Sequence, residues 1–234
     1  MATTAVVHPR AADLELAAPR LTERRIAWAF AGSGIAVFAL MGLAGLAMRL
    51  DQATVIDLSP TWFYRLLTLH GAGMLTGALL VMMGALWFVV RKVAPLSLGR
   101  MLASLVLILV GAVGVIVATL LGGFGTGWTF LSPLPFYPAG QWKTWATVVF
   151  LAGILLVGAG FFVFCLDVLM RVTATFGGLQ QSLGIPFLRD RGEAPPPQVI
   201  AATVVSLEGL LASAMGTTVV VAMLGRTIDS GMTL

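Results

Sequence analysis

Five long apolar runs dominate this sequence and constrain its fold more than any other feature. A run of about 20 apolar residues is long enough to cross the ~30 Å hydrocarbon core of a bilayer as a helix. Only 10% of the 234 residues are charged, against roughly 25% in soluble domains, which excludes a soluble globular fold. The sequence therefore predicts an all-α integral membrane protein with five transmembrane helices. The predicted spans are Ile26–Met48, Leu66–Val90, Met101–Gly123, Thr144–Leu166 and Gln198–Leu224.

The basic residues are distributed unequally between the two ends of these spans. Lys and Arg near span ends resist translocation and mark the cytoplasmic side. Ten of the 14 Lys and Arg residues fall on the side of the N-terminus and four on the other. We therefore expect residues 1–25 to form a loose cytoplasmic tail, residues 26–234 one membrane domain, and the C-terminus to lie outside. The +4 net charge belongs to these flanks, so the expected partner surface is a lipid bilayer and not nucleic acid.

Two strongly polar, titratable side chains lie inside the predicted spans, His70 and Glu208. Because an ionisable group in the membrane is costly to bury, each is a candidate functional residue. A neutral imidazole nitrogen of His70 can ligate heme iron, and Gly71 and Gly73 would leave room for a flat macrocycle. The alternative is a histidine hydrogen-bonded between helices. Glu208, near the bilayer midplane, is a candidate for proton access, and its alternative is a neutral carboxyl hydrogen-bonded inside the bundle.

A six-coordinate heme at His70 would need a second axial ligand. The other histidine, His8, lies in the tail, on the opposite side of the membrane. Met74 shares a helical face with His70 and cannot reach the far side of the iron, while Met48 is a remote possibility. We therefore expect the second ligand to come from another polypeptide.

Three motifs, read in order, resemble a known family. They are YRLLTLHG at 64–71, GTGWTFLSPLP at 125–135, and the end of the fourth span at Leu166-Asp167. Together they resemble the first five helices of catalytic subunit I of the heme–copper oxygen reductases, which include cytochrome c oxidase. The loop RKVAPLSLGR at 91–100 lacks the Asn and Asp of the A-family proton channel, so the likeness is closest to the B-family.

The resemblance implies roles for individual residues. His70 corresponds to an axial ligand of the low-spin heme, of b or a type, and Trp128 belongs to the loop that packs near that heme. The high-spin heme and copper are implied to lie on helices six to ten, which these 234 residues do not contain. We therefore expect a split N-terminal half, completed by a second membrane chain that supplies the remaining histidines. An electron-entry subunit carrying copper or a cytochrome is a further expected partner.

The predicted function is electron transport in a prokaryotic plasma membrane. The low-spin heme would pass electrons to a heme–copper centre in the partner chain, where oxygen is reduced to water during aerobic respiration, with or without proton translocation. One alternative is a nitric oxide reductase-type subunit on the same scaffold. Others are a non-catalytic membrane scaffold or half-transporter, since five-helix units also build transporters, and a paralogue that keeps His70 for assembly or sensing.

Overall fold

The computed structural model of this chain describes residues 21–127, 134–189 and 194–232. Five helices in these ranges are long and apolar enough to cross a membrane, which confirms the predicted all-α membrane fold. Residues 1–20 of the predicted tail lie outside the described ranges, whereas residues 21–25 belong to the first helix. The helices are α1 (Leu21–Gln52), α2 (Pro60–Val90), α3 (Leu98–Ile116), α4 (Thr144–Phe176), the single-turn α5 (Leu179–Ser182) and α6 (Pro197–Met232).

Local signals in the sequence set several helix ends. The Ser59 hydroxyl accepts a hydrogen bond from the Trp62 backbone N–H, and Pro60 follows at the first helical position, where its missing N–H costs nothing. Ser97 caps α3 in the same way. Gly177, at φ 82°, ends α4 in the left-handed conformation that glycine adopts without strain.

Asp167 explains why α4 continues well past the predicted end of its span at Leu166. The carboxylate is fully buried, and its Oδ1 lies 3.1 Å from Arg100 Nε and 3.7 Å from Arg171 Nε. Its Oδ2 accepts a 2.9 Å hydrogen bond from the Ser97 backbone N–H, at the start of α3. Because two guanidinium groups balance the charge and Oδ2 accepts a hydrogen bond, a charged residue at this position joins α3 to α4 without ending the helix.

Glycines bring neighbouring helices into close contact, as in other membrane bundles. Gly111 of α3 and Gly153 of α4 each face the other's backbone, and a Cβ on Gly160 of α4 would lie 2.6 Å from Ile108 Cγ1 of α3. Gly34 of α1 packs equally closely against α2. Three other glycines of these helices face open space instead. They are Gly32, Gly42 and Gly158.

The end of α3 departs from regular α-helical geometry. Residues Val117–Leu121 form a π-helical turn, and the Gly122 backbone N–H donates to the Val117 carbonyl at 3.0 Å. Such turns occur often at functional sites. The chain then enters a glycine-rich loop at the end of the bundle where α2 and α4 begin, which is also the end nearer to His70.

Candidate functional site

The His70 side chain projects from α2 towards α1 and is half-buried. Its Nδ1 lies 2.7 Å from the backbone carbonyl oxygen of Met41. A carbonyl oxygen can only accept, so Nδ1 carries the proton and donates it to this bond. The lone pair is then left on Nε2. This is the arrangement found in metal-ligating histidines, in which a partner at one ring nitrogen fixes the tautomer and orientation that the other needs to bind a metal.

Gly45 of α1 makes this contact possible. A Cβ at residue 45 would lie 2.8 Å from His70 Cε1 and 3.2 Å from Nδ1, closer than carbon atoms pack. Gly73, in contrast, does not leave the free space that the sequence predicts for a macrocycle, because the Met41 side chain of α1 fills it. Helix α1 thus supplies both the hydrogen-bond acceptor and the wall behind the imidazole.

The loop that follows α3 is bound to the turn of α2 before His70. The backbone N–H of Gly127 donates to Thr68 Oγ1 at 2.8 Å, and this hydroxyl donates to the Tyr64 carbonyl at 2.7 Å. Gly125 lies against the backbone of the same turn. Trp128, predicted as a residue of the heme-pocket loop, lies outside the described residues. Its neighbour Gly127 is nevertheless hydrogen-bonded to Thr68, which precedes His70 by two residues on α2.

Arg65 is a feature of this region that the sequence analysis did not single out as functional. Its guanidinium lies 4.9 Å from the centre of the Trp62 ring and packs against Gly123, where a Cβ would come within 2.7 Å of Nη2. Gly123 also has φ +77°, which favours glycine. Among the described residues, the buried Arg65 Nε has no hydrogen-bond partner. The cation is therefore available to an anion such as a carboxylate; its place in the YRLLTLHG motif, five residues before His70, was the available sequence signal.

An aromatic cluster packs against the loop that follows α3. Phe124 stacks on Phe150 with ring centroids 4.3 Å apart and meets the edge of Trp142 at 5.3 Å. Trp142 Nε1 donates to Thr147 Oγ1 at 3.0 Å. Trp142 is buried because its ring packs on Phe124. Three other aromatic rings near the same ends of α2 and α4 are exposed, and they are Trp62, Tyr64 and Trp145.

Glu208 lies on the exposed side of α6 and is not part of the His70 region. The opposite side of the helix is buried and includes Thr203, whose hydroxyl donates to the Val199 carbonyl at 2.8 Å, and Ser206. Within the described part of the chain, Glu208 is therefore not a carboxyl hydrogen-bonded inside the bundle. Proton access through Glu208 stays a prediction.

The metal chemistry available in the described part of the chain is limited to single ligands. Within residues 21–127, 134–189 and 194–232, no group of three or more His, Cys, Asp or Glu side chains could hold a metal ion. One imidazole with a free Nε2 fits one axial position of a heme iron, and it does not by itself fit a copper site. His8 lies outside these residues.

A family model described as cytochrome c and quinol oxidase polypeptide I matches residues 25–229. This range runs from the start of α1 almost to the end of α6, so it covers all five membrane-crossing helices. A search of curated proteins and a search of solved structures each gave no match. The match confirms the family that the three sequence motifs predicted. The chain belongs to the cytochrome c and quinol oxidase polypeptide I family.

Proposed function

We propose that this chain is the low-spin heme-binding part of the catalytic subunit of a heme–copper respiratory oxidase. The observation that carries the proposal is the hydrogen bond from His70 Nδ1 to the Met41 carbonyl, which leaves Nε2 unprotonated for iron. Gly45 brings the α1 backbone up to the ring and so makes this hydrogen bond possible.

The role of the chain is to hold and orient one axial ligand. Heme bound at His70, of b or a type, would supply a one-electron relay. The residues around it keep the imidazole in one tautomer, through Met41, and fix the loop over the start of α2, through Thr68. These contacts hold the ligand in one position and orientation, as a functional side chain requires.

We propose that a second membrane polypeptide supplies the second axial ligand, the high-spin heme and copper. The family resemblance places all three on further helices of the catalytic core. Oxygen would be reduced to water at that heme–copper centre, with electrons delivered by a copper- or cytochrome-containing subunit on the outer side. The distribution of basic residues supports a cytoplasmic N-terminus, and we propose a prokaryotic plasma membrane as the location.

The experiment is a reduced-minus-oxidised spectrum, with pyridine hemochrome and metal analysis, on the complex purified in mild detergent. We expect His70→Ala to remove the low-spin heme signal while the chain still inserts into the membrane. His8→Ala removes the other histidine and is the matched control, whose spectrum should equal that of the wild type. An unchanged spectrum in His70→Ala would refute the ligand assignment.

Two further measurements on the same sample test the rest of the proposal. Mass spectrometry should identify a second, histidine-rich membrane chain and show copper in the complex; a heme-free, copper-free complex would favour the scaffold or half-transporter alternative. Turnover with oxygen and with nitric oxide then separates the oxidase from the nitric oxide reductase-type alternative.

A further inference from the structure

Arg65 carries a positive charge that no acidic side chain balances within residues 21–127, 134–189 and 194–232. The ion pairs in these ranges are made by Glu23 and Asp167, and their partners are other arginines. The loop residues 128–133, which follow Gly127 in the sequence, contain no Asp or Glu. An anion that pairs with Arg65 is therefore supplied neither by the described residues nor by this loop.

The Arg65 guanidinium is packed on two sides. Its Cζ lies 4.9 Å from the centre of the Trp62 ring, within the range of a cation–π contact. It also packs against Gly123, where a Cβ would come within 2.7 Å of Nη2 and 3.2 Å of Cζ. The buried Nε has no hydrogen-bond partner among the described residues. Because both neighbours restrict the guanidinium plane, its planar fork of donors is oriented before an anion binds.

Main-chain contacts fix the loop that lies beside this side chain. A Cβ on Gly125 would lie 3.3 Å from the Arg65 backbone nitrogen, so the loop backbone lies against the first turns of α2. Two residues later, the Gly127 N–H donates to Thr68 Oγ1 at 2.8 Å. The half-buried Arg65 side chain therefore lies between a helix and a loop that is bound to it, unlike a surface arginine that extends freely into solvent.

We propose that Arg65 binds an oxyanion, a carboxylate or a phosphate, at the end of the bundle where α2 begins. A guanidinium presents parallel N–H donors that match two oxygens of either group, and such charge-assisted hydrogen bonds are among the strongest in proteins. The exposed rings of Trp62 and Tyr64 lie in the same two turns of α2. Because such rings are enriched at the level of the lipid headgroups, the site is accessible to anions from the membrane surface.

Two molecules can bring this oxyanion to Arg65. One is heme, which carries two carboxylate side chains, and this source rests on the proposed function. Arg65 lies about 7.5 Å from His70 along the axis of α2 and about 140° from it around the helix, so a carboxylate of heme at His70 would pass beside the start of α2. The other source is the phosphate of a phospholipid, which lies at the membrane surface whether or not heme is bound.

Titration of the purified complex with heme tests the first source. Arg65→Gln removes the charge and keeps a polar side chain of moderate length. If a heme carboxylate is the ligand, the affinity measured by pyridine hemochrome should fall at least about tenfold, the loss typical of removing a hydrogen bond to a charged group. Arg65→Lys keeps the charge without the planar fork, so we expect it to recover part of that affinity, to within about threefold of the wild type.

Titration of the delipidated complex with phosphatidylglycerol, followed by native mass spectrometry, tests the second source. If a phosphate is the ligand, Arg65→Gln should weaken phosphatidylglycerol binding at least about tenfold and leave the binding of diacylglycerol, which has no phosphate, unchanged. Arg226→Gln is the matched control for both titrations. The Arg226 Cζ lies 4.7 Å from the centre of the Phe136 ring, so it is also an arginine stacked on an aromatic ring, but its side chain is exposed. We expect wild-type binding in this variant.

The two titrations also separate this proposal from the proposed function. A loss in either titration that is specific to Arg65 supports the oxyanion site and identifies its source. Wild-type binding of both heme and phosphatidylglycerol in Arg65→Gln, or an equal loss in Arg226→Gln, would overturn it while leaving His70 as the heme ligand. A wild-type complex that binds no heme refutes the proposed function, and the phosphatidylglycerol titration then decides the role of Arg65 by itself.

Discussion

Replacing Gly45 by alanine should disturb heme binding without removing the ligand. The added Cβ would lie 2.8 Å from His70 Cε1, so the ring must move by about 0.7 Å to reach the separation at which carbon atoms pack. The Cβ lies on the side of Nδ1, at 3.2 Å, and a similar shift would stretch the 2.7 Å bond to the Met41 carbonyl to about 3.4 Å. That distance is beyond a good hydrogen bond.

The expected loss follows from the role of this hydrogen bond. Loss of a group that orients a metal-ligating histidine typically lowers metal affinity about 10- to 100-fold, which corresponds to about 1.4–2.7 kcal/mol. We therefore expect Gly45→Ala to bind heme at least about tenfold more weakly and to shift the low-spin bands. Heme content per chain, measured by pyridine hemochrome during titration with heme, gives the affinity.

Gly42→Ala is the matched control for this measurement. Gly42 lies one turn earlier on α1, and nothing lies within 4 Å of its added Cβ. Both substitutions gain roughly the same 0.5–1 kcal/mol of helix propensity, so that gain cancels in the comparison. Wild-type affinity in Gly45→Ala, or an equal loss in both variants, would refute the assignment of Nδ1 to the Met41 carbonyl.

Two further substitutions test the packing that positions the site. Asp167→Asn removes a buried charge that two arginines share, and because those arginines are partly exposed we expect a loss of about 2 kcal/mol, below the range for a fully buried pair. Thermal unfolding in detergent should show it, while Asn at the exposed Asp57 should leave the midpoint unchanged. Gly160→Ala overpacks the α3–α4 contact and should cost about 1–3 kcal/mol, whereas Gly158→Ala, facing open space, should cost little. Equal midpoints within either pair of variants would contradict the packing described.

The number of membrane helices could be predicted from the sequence because it depends on local hydropathy alone. Helix ends could not be predicted as well. The predicted fourth span stops at Leu166, before a charged residue, but Asp167 is neutralised by Arg100 on another helix. A charge in a membrane helix is much less costly when it is paired and hydrogen-bonded, and the pairing is a property of the tertiary structure. Hydropathy therefore gave a fourth span that is too short, because the partner of Asp167 lies on a neighbouring helix.

The candidate site, too, could be predicted from the sequence only in part. His70 could be found from the sequence because a histidine inside an apolar run is rare and costly, whatever its surroundings. The partner of its Nδ1 could not, because a backbone carbonyl has no sequence signature. The orientation of Glu208 also depends on a distant contact, that of Gly209 with Cys165. Periodicity showed which residues share a face of α6, but not which face meets α4.

His70 donates its hydrogen bond to a main-chain carbonyl of α1, and this determines how the site responds to sequence change. Every residue at position 41 brings the same carbonyl oxygen, so no side-chain substitution there can delete the acceptor. What the imidazole depends on is the axial position and tilt of the whole helix α1 relative to α2. Insertion or deletion of one residue within α1 would rotate Met41 by about 100° relative to the rest of the helix, and would therefore be more damaging to the ligand than replacement of Met41 itself.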